Sequence, residues 1–337
     1  MLAKLGWNGW FQYQKCIFGR VARPLSASDE EPVINLPNDF PQLTWSPALE
    51  NAAMPLVRLA LHEDLGGQRD WSTWVSVPHE LEAQAKIVSR ESGVVCGLKL
   101  LPMIQAEMAE ISESWPPTNG SLATPGRWRL CASDGERVEP GTVIARWEGS
   151  AAQLLTMERT ALNFLGRLSG IATQTRHFVD AVASTETAIY DTRKTTPGWR
   201  LLEKFAVHCG GGRNHRLGLY SAIMLKDNHL ASQHGDVGSP QNLRAIIANA
   251  RAKLEAAKAS RLLEGDLIFE VEVDSLAQLA VVLQEDVDLI LLDNMTLHEL
   301  RQALTMREAS KKRVPLEASG GVTLANVAQV AGTGVDR

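Results

Sequence analysis

Residues 267–295 read LIFEVEVDSLAQLAVVLQEDVDLILLDNM, and this stretch decides the fold. A short apolar run, 267–273, ends in Asp274 and Ser275; residues 276–284 carry helical spacing; a second apolar run, 289–292, ends in Asp293, Asn294 and Met295. Strand, polar cluster, helix and strand in that order make a βα unit of a parallel sheet. The pattern recurs on both sides: TAIY runs into DTRKT (191–195), SAIML into KDNH (226–229) and PLEA into SGG (319–321), with helical segments at 241–263, 297–309 and 324–332. Polar clusters at the C-terminal ends of parallel strands are where α/β enzymes keep their chemistry.

Within 269–273, alternation places Phe269, Val271 and Val273 on one face and Glu270 and Glu272 on the other. Carboxylates on so apolar a strand need a partner or a solvated cavity. Between Asp191 and His229 seven basic residues (Arg193, Lys194, Arg200, Lys204, Arg213, Arg216 and Lys226) face three acids, in a chain whose net charge is −5. That local inversion suits a small, multiply anionic ligand, because Arg offers planar forks to carboxylate or phosphate and Lys a point charge. Glu272 and Asp293 then suit a polyol's hydroxyls or a divalent cation. Ser319, Gly320 and Gly321, read as a strand-to-helix junction, can turn backbone amides toward a phosphate. His215, in GGGRNHR, is expected to orient or polarise an anion rather than bind metal, since no second His or Cys lies at ligand spacing. Cys209 reads as a structural thiol, and Met224 and Met295 as packing.

Upstream the texture differs. Residues 47–65 suit one helix stopped by Gly66 and Gly67, residues 99–111 another, and AKIVSRESGVVCGL and RWRLCASDGERVEPGTVIARWEG are hairpin-like. These make a compact α+β unit at 46–152, followed by the periodic unit at 153–337, which opens on a helical stretch containing MERTALNFLGRLSGIAT. Residues 1–45 read as leader and linker: 1–28 hold four basic residues and no acid, and EPVINLPNDFPQ has three prolines in twelve residues. An organellar leader is the alternative to a poorly ordered tail there.

The composition, 45% hydrophobic and 22% charged, is that of an ordinary globular protein. The mild acidity argues against a nucleic-acid binder, and no apolar run approaches the roughly 18 residues that span a bilayer. Four widely spaced cysteines without a CxxC indicate neither a zinc site nor a disulfide framework, which fits a reducing, cytoplasmic setting.

The motifs MERTALNFLGRLSGIAT, DTRKTTPGWRLLEKFAVHCGGGRNHRLGL, MLKDNH, FEVEVDS, LILLDNM and EASGG, in this order over about residues 50–337, resemble the quinolinate phosphoribosyltransferase family. The resemblance implies an N-terminal α/β sandwich followed by an incomplete type II phosphoribosyltransferase α/β barrel, here expected to lack its last strand and leave an exposed edge. It implies transfer of phosphoribosyl from phosphoribosyl pyrophosphate to quinolinate with decarboxylation, in NAD biosynthesis. Arg193, His215, Arg216 and Lys226, with Thr192, would surround the quinolinate carboxylates, and Arg159 would reach that pocket from the neighbouring subunit of a homodimer, which can assemble further into a hexamer. Lys194 would bridge the two substrates, and Lys194, Lys226, Glu272 and Asp293 would carry the catalysis. Glu272 and Asp293 would hold ribose hydroxyls and the Mg²⁺ accompanying pyrophosphate; Ser319, Gly320 and Gly321 would cradle the 5′-phosphate. GGQRDWST departs from the tighter acidic-glycine turn of the family. A related base phosphoribosyltransferase, or a non-catalytic anion-binding fragment, stays open beside this reading.

Overall fold

The computed structural model describes residues 11–15, 39–113, 126–226, 229, 240–310 and 312–337. In chain order the described elements are β1 (Phe11–Lys15), α1 (Pro47–Leu65), α2 (Trp71–Ser76), β2 (Glu82–Ser89), β3 (Gly93–Val94), α3 (Leu100–Glu113), β4 (Arg127–Leu130), β5 (Arg137–Val138), β6 (Val143–Ser150), α4 (Ala151–Val182) and α5 (Arg200–Cys209). They continue with β7 (Ile223–Leu225), α6 (Pro240–Ala259), β8 (Phe269–Val273), α7 (Leu276–Val282), β9 (Leu289–Asp293), α8 (Leu297–Ser310), β10 (Leu316–Ser319) and α9 (Val327–Ala331). Two compact units divide them. The first holds Leu43–Arg176 and Lys194–Gly212, together with β1; the second holds residues 39–42, His177–Arg193 and Arg213–Arg337.

In the first unit, α1 begins where the sequence predicts. Ser46 is extended and its hydroxyl accepts from the Leu49 amide at 3.3 Å, Pro47 follows at the first helical position, and Gly66 closes the helix in a left-handed turn at φ 58°. Leu49, Ala53, Val57, Leu61 and Leu65, four residues apart, form its buried stripe. The GGQRDWST departure is a helix start: the Asp70 carboxylate accepts from the Thr73 amide at 3.0 Å and so caps α2. The antiparallel sheet has the order β1-β2-β6-β4.

Two expectations are corrected here. First, α4 does not open the second unit: Leu154, Met157, Ala161, Phe164, Leu165, Leu168 and Ala172 are buried in the first unit's core. The Ser169 and Thr173 hydroxyls of the same helix accept from the Cys96 and Val94 amides, both at 2.9 Å. The division at residue 152 marks a change of sequence texture, whereas packing carries the first unit to Arg176. Second, residues 1–45 are more than leader and linker. β1 pairs antiparallel with β2, from Phe11 opposite Ser89 to Lys15 opposite Ala85, and Phe40 is buried in the second unit. The rest of the leader reading falls on residues outside those described.

The second unit contains the parallel sheet β10-β9-β8-β7. Its hydrogen bonding continues past β10: the Ala318 amide donates to Arg337 O at 2.8 Å, the Asp336 amide to Leu316 O at 3.0 Å, and the Ala188 amide to Asp336 O at 3.0 Å. Tyr190 then bridges Arg213 in parallel. The edge of β10 that was expected to be open is thus occupied by Asp336 and Arg337. On β8, Phe269, Val271 and Val273 join Leu243, Ile247 and Leu254 of α6 in the core, which turns Glu270 and Glu272 to the opposite face.

Candidate active site

The face of the sheet bearing Glu270 and Glu272 collects the charged residues of the strand ends. Lys226, the residue after β7, places its Nζ 2.5 Å from Glu272 Oε2. Arg216 is 7% exposed, and one of its terminal nitrogens lies 3.2 Å from Met224 Sδ. Burial lowers the Arg216 pKa, the neighbouring Arg193 lowers it further, and Glu270 and Glu272 act against both. Arg216 and Lys226 thus lie within the influence of the β8 glutamates, and Arg193 lies within that of Arg216. Two guanidiniums within each other's field suit an anion with more than one charge.

His215 is held by its backbone and its ring. Its amide donates to Asp191 Oδ1 at 2.8 Å, beside Asn214 Nδ2, which donates to Asp191 Oδ2 at 2.8 Å. The ring Nδ1 accepts from the Arg216 amide at 2.8 Å, which leaves Nε2 to carry the proton. Nε2 stands 3.2 Å from Glu270 Oε2 and 3.6 Å from Glu317 Oε2. Both ring nitrogens thus face protein atoms. Burial raises the Glu270 carboxyl to about 8 against the attraction of Arg216, Arg337 and Lys226, and burial followed by the Glu270 charge raises Glu317 to about 7.

His215, Glu270 and Glu317 each bring a ligand atom within 4.8 Å of the others. The neighbours that the fold brings to His215 are two glutamates, with no second His or Cys in the group. Arg216 and Arg337 already supply positive charge to these carboxyls, so the group fits a proton-sharing carboxyl–imidazole cluster better than a cation site. Glu272 and Asp293, by contrast, offer oxygen donors at the ends of neighbouring strands, the donor type Mg²⁺ takes when substrate phosphates supply its remaining ligands.

Asp293 ends β9 and accepts from Asn294 Nδ2 at 2.7 Å. The Asn294 amide donates to Ser319 O at 2.8 Å, and a Cβ on Gly320 would collide with the Asn294 side chain, so the β9 and β10 ends meet closely. Gly320 and Gly321 have φ of 94° and 64°, a region that favours glycine. SGG does not open a helix as expected. A turn intervenes, in which the Asn326 side chain accepts from the Thr323 amide at 2.7 Å and donates to Gly321 O at 3.0 Å, and α9 starts only at Val327.

Three expected residues remain. Lys194 and Arg159 belong to the first unit, where Arg159 is exposed on α4; Thr192 is exposed in the second unit. Sequence reasoning did not select Asp191 or Glu317. Glu317 sits between Leu316 and Ala318 in a four-residue strand, too short for its alternation to be noticed.

The family model for the quinolinate phosphoribosyl transferase N-terminal domain matches residues 70–169, and that for the C-terminal domain matches 171–337. The chain is 40% identical over 286 residues to the nicotinate-nucleotide pyrophosphorylase (carboxylating) of Mycobacterium leprae, covering 85% of this chain and 90% of that one. It is 38% identical over 283 residues to the probable nicotinate-nucleotide pyrophosphorylase (carboxylating) of Synechocystis, covering 84% and 85% respectively. The crystal structure of NadC from Streptococcus pyogenes superposes with a TM-score of 0.72 at 33% identity, covering 88% of this chain and 91% of that one.

Proposed function

The chain belongs to the quinolinate phosphoribosyltransferase family, and from that premise we propose that the Arg193, Arg216 and Lys226 cluster is where it receives quinolinate. The protein transfers phosphoribosyl from phosphoribosyl pyrophosphate to quinolinate with loss of CO₂, forming nicotinate mononucleotide in NAD biosynthesis. The observation that supports the assignment is the Lys226 ammonium on Glu272 and the Arg216 guanidinium in the field of Glu270, Glu272 and Arg193, at the ends of parallel strands. Two polyanions must meet here, and each has to be neutralised first. Arg193 and Arg216 present forks to the substrate carboxylates, while Lys226, held by Glu272, adds a point charge.

With the ring held this way, its nitrogen attacks the anomeric carbon of the ribose as pyrophosphate leaves. That nitrogen bears no proton, so the attack needs no general base. CO₂ then departs, the electrons of its bond to the ring stay at the 2-position as an ylide that the adjacent positive nitrogen stabilises, and a proton added at that carbon completes the product. Glu272 and Asp293 hold the ribose hydroxyls, and Lys194 bridges the two substrates. Ser319, Gly320 and Gly321 give the 5′-phosphate backbone amides. Asp293 and Glu272 would hold Mg²⁺, whose positive charge would favour pyrophosphate as a leaving group. Thr192 and Arg159 complete the dicarboxylate pocket, with Arg159 supplied by the partner subunit of a homodimer.

Calorimetry tests this reading. Quinolinate should bind more tightly than nicotinate, because only quinolinate engages both forks. Equal affinity for the two acids would overturn the pocket assignment.

A further inference from the structure

We propose that residues 39–42 are a strap that positions the loop carrying His215 and Arg216; the proposal rests on the functional reading above and extends it to side chains upstream of the first helix. Three consecutive loop residues are each met by one residue of the strap. Asp39 takes Arg213, Gln42 takes Asn214 and Phe40 takes His215.

The Asp39 carboxylate accepts from Arg213 Nη1 at 2.9 Å and from the Tyr190 hydroxyl at 2.8 and 2.9 Å, with Arg337 Nη2 at 3.4 Å. It thereby pairs with the guanidiniums of both Arg213 and Arg337. Gln42 acts as a substitute strand. Its Oε1 accepts from the Asn214 amide at 2.7 Å, and its Nε2 donates to Asn214 O at 3.2 Å and to Phe40 O at 2.8 Å. One side-chain amide therefore pairs both backbone groups of the residue before His215, as a neighbouring strand would.

Phe40 is 3% exposed, and its ring centroid lies 4.2 Å from that of His215, the planes inclined by 36°. The ring packs with Ala222, Leu289 and Tyr190. Asp191 grips the same loop through the His215 amide and the Asn214 side chain. The loop is clamped by Asp191 and by the strap, and this fixes the direction in which Arg216 leaves the backbone. A displacement of about 1 Å in such a positioning element misaligns the groups it holds toward the substrate.

The strap's side chains are positioning residues, and their test separates the two substrates. In the full chain, Gln42→Ala removes both bonds to Asn214, while Phe40→Leu keeps apolar bulk and removes the flat ring. Calorimetry with quinolinate, and separately with phosphoribosyl pyrophosphate and Mg²⁺, is read beside thermal unfolding by circular dichroism. Each variant should bind quinolinate about tenfold more weakly and phosphoribosyl pyrophosphate within about twofold of the unsubstituted chain, since phosphate binding is assigned to the β9 and β10 ends. Unchanged quinolinate binding in folded variants, or equal weakening for both substrates, overturns the strap. If Gln42→Ala does not fold, Phe40→Leu decides; loss of folding in both means the segment serves stability alone and also overturns it. Failure of the unsubstituted chain to bind quinolinate overturns the functional reading, and the strap's role with it, before any variant is compared.

Discussion

Glu270→Gln should make the protein more stable in mild alkali and leave it nearly unchanged in mild acid. Glu270 is fully buried on β8, and burial lifts its carboxyl from 4.5 to about 8. Between those two values the folded protein keeps a proton that the unfolded chain has released. Folding then takes up a proton, and stability falls as the pH rises through the window. At 1.36 kcal/mol per pH unit, the loss amounts to about 3 kcal/mol by pH 7 and about 5 kcal/mol at pH 8. Glutamine is neutral in both states, matches the protonated acid in shape and removes this dependence.

Urea unfolding at pH 5, 6.5 and 8 measures it. Circular dichroism is the suitable signal, because the described tryptophans Trp45, Trp71, Trp74, Trp128, Trp147 and Trp199 all lie in the first unit. The wild-type curve should fall from pH 5 to pH 8 more steeply than that of Glu270→Gln, with the two nearly coincident at pH 5. Parallel curves would show that Glu270 is ionised when folded, and the proton-sharing account of Glu270, Glu317 and His215 would be wrong.

Three further outcomes are expected. Arg193→Ala should weaken quinolinate binding at least about tenfold, the loss of one charge-assisted fork, and Arg193→Lys should recover only part of it; unchanged affinity in both would remove Arg193 from the pocket. Asp293→Asn should raise the Mg²⁺ and phosphoribosyl pyrophosphate requirement more than the quinolinate requirement, and steady-state kinetics showing equal effects would point instead to a folding defect. Arg159→Ala and Arg193→Ala should each be nearly inactive alone, while refolded mixtures should regain roughly a quarter of wild-type activity, since about half the dimers are mixed and each carries one intact site of two. No recovery in mixtures shown by mass spectrometry to contain mixed dimers would place Arg159 outside a shared site.

The parts of the fold legible in the sequence were those with local signals. Ser46, Pro47 and Gly66 bound α1 because caps are decided by neighbours in the chain, and the alternation of Phe269–Val273 shows which face of β8 carries carboxylates. Helix α5 escapes such a reading. Its Glu203 and Lys204 are buried, the former accepting from the Thr196 amide at 3.1 Å and pairing with Arg167, so its buried face does not look apolar. The strap at 39–42 was hidden for a similar reason: prolines and polar residues read as linker, whereas Asp39 and Gln42 are fixed by partners more than 150 residues away. The strand-end cations were found by local charge inversion. The cluster of His215, Glu270 and Glu317 depends on which strands become neighbours, and the spacing of those residues along the chain does not reveal it.

The most direct measurement is a turnover assay with quinolinate labelled at its 2-carboxylate, in the presence of phosphoribosyl pyrophosphate and Mg²⁺. The account predicts one labelled CO₂ released for each nicotinate mononucleotide formed, with none released when phosphoribosyl pyrophosphate is withheld. Tight binding of both substrates without release of label, or release that does not depend on phosphoribosyl pyrophosphate, would contradict it.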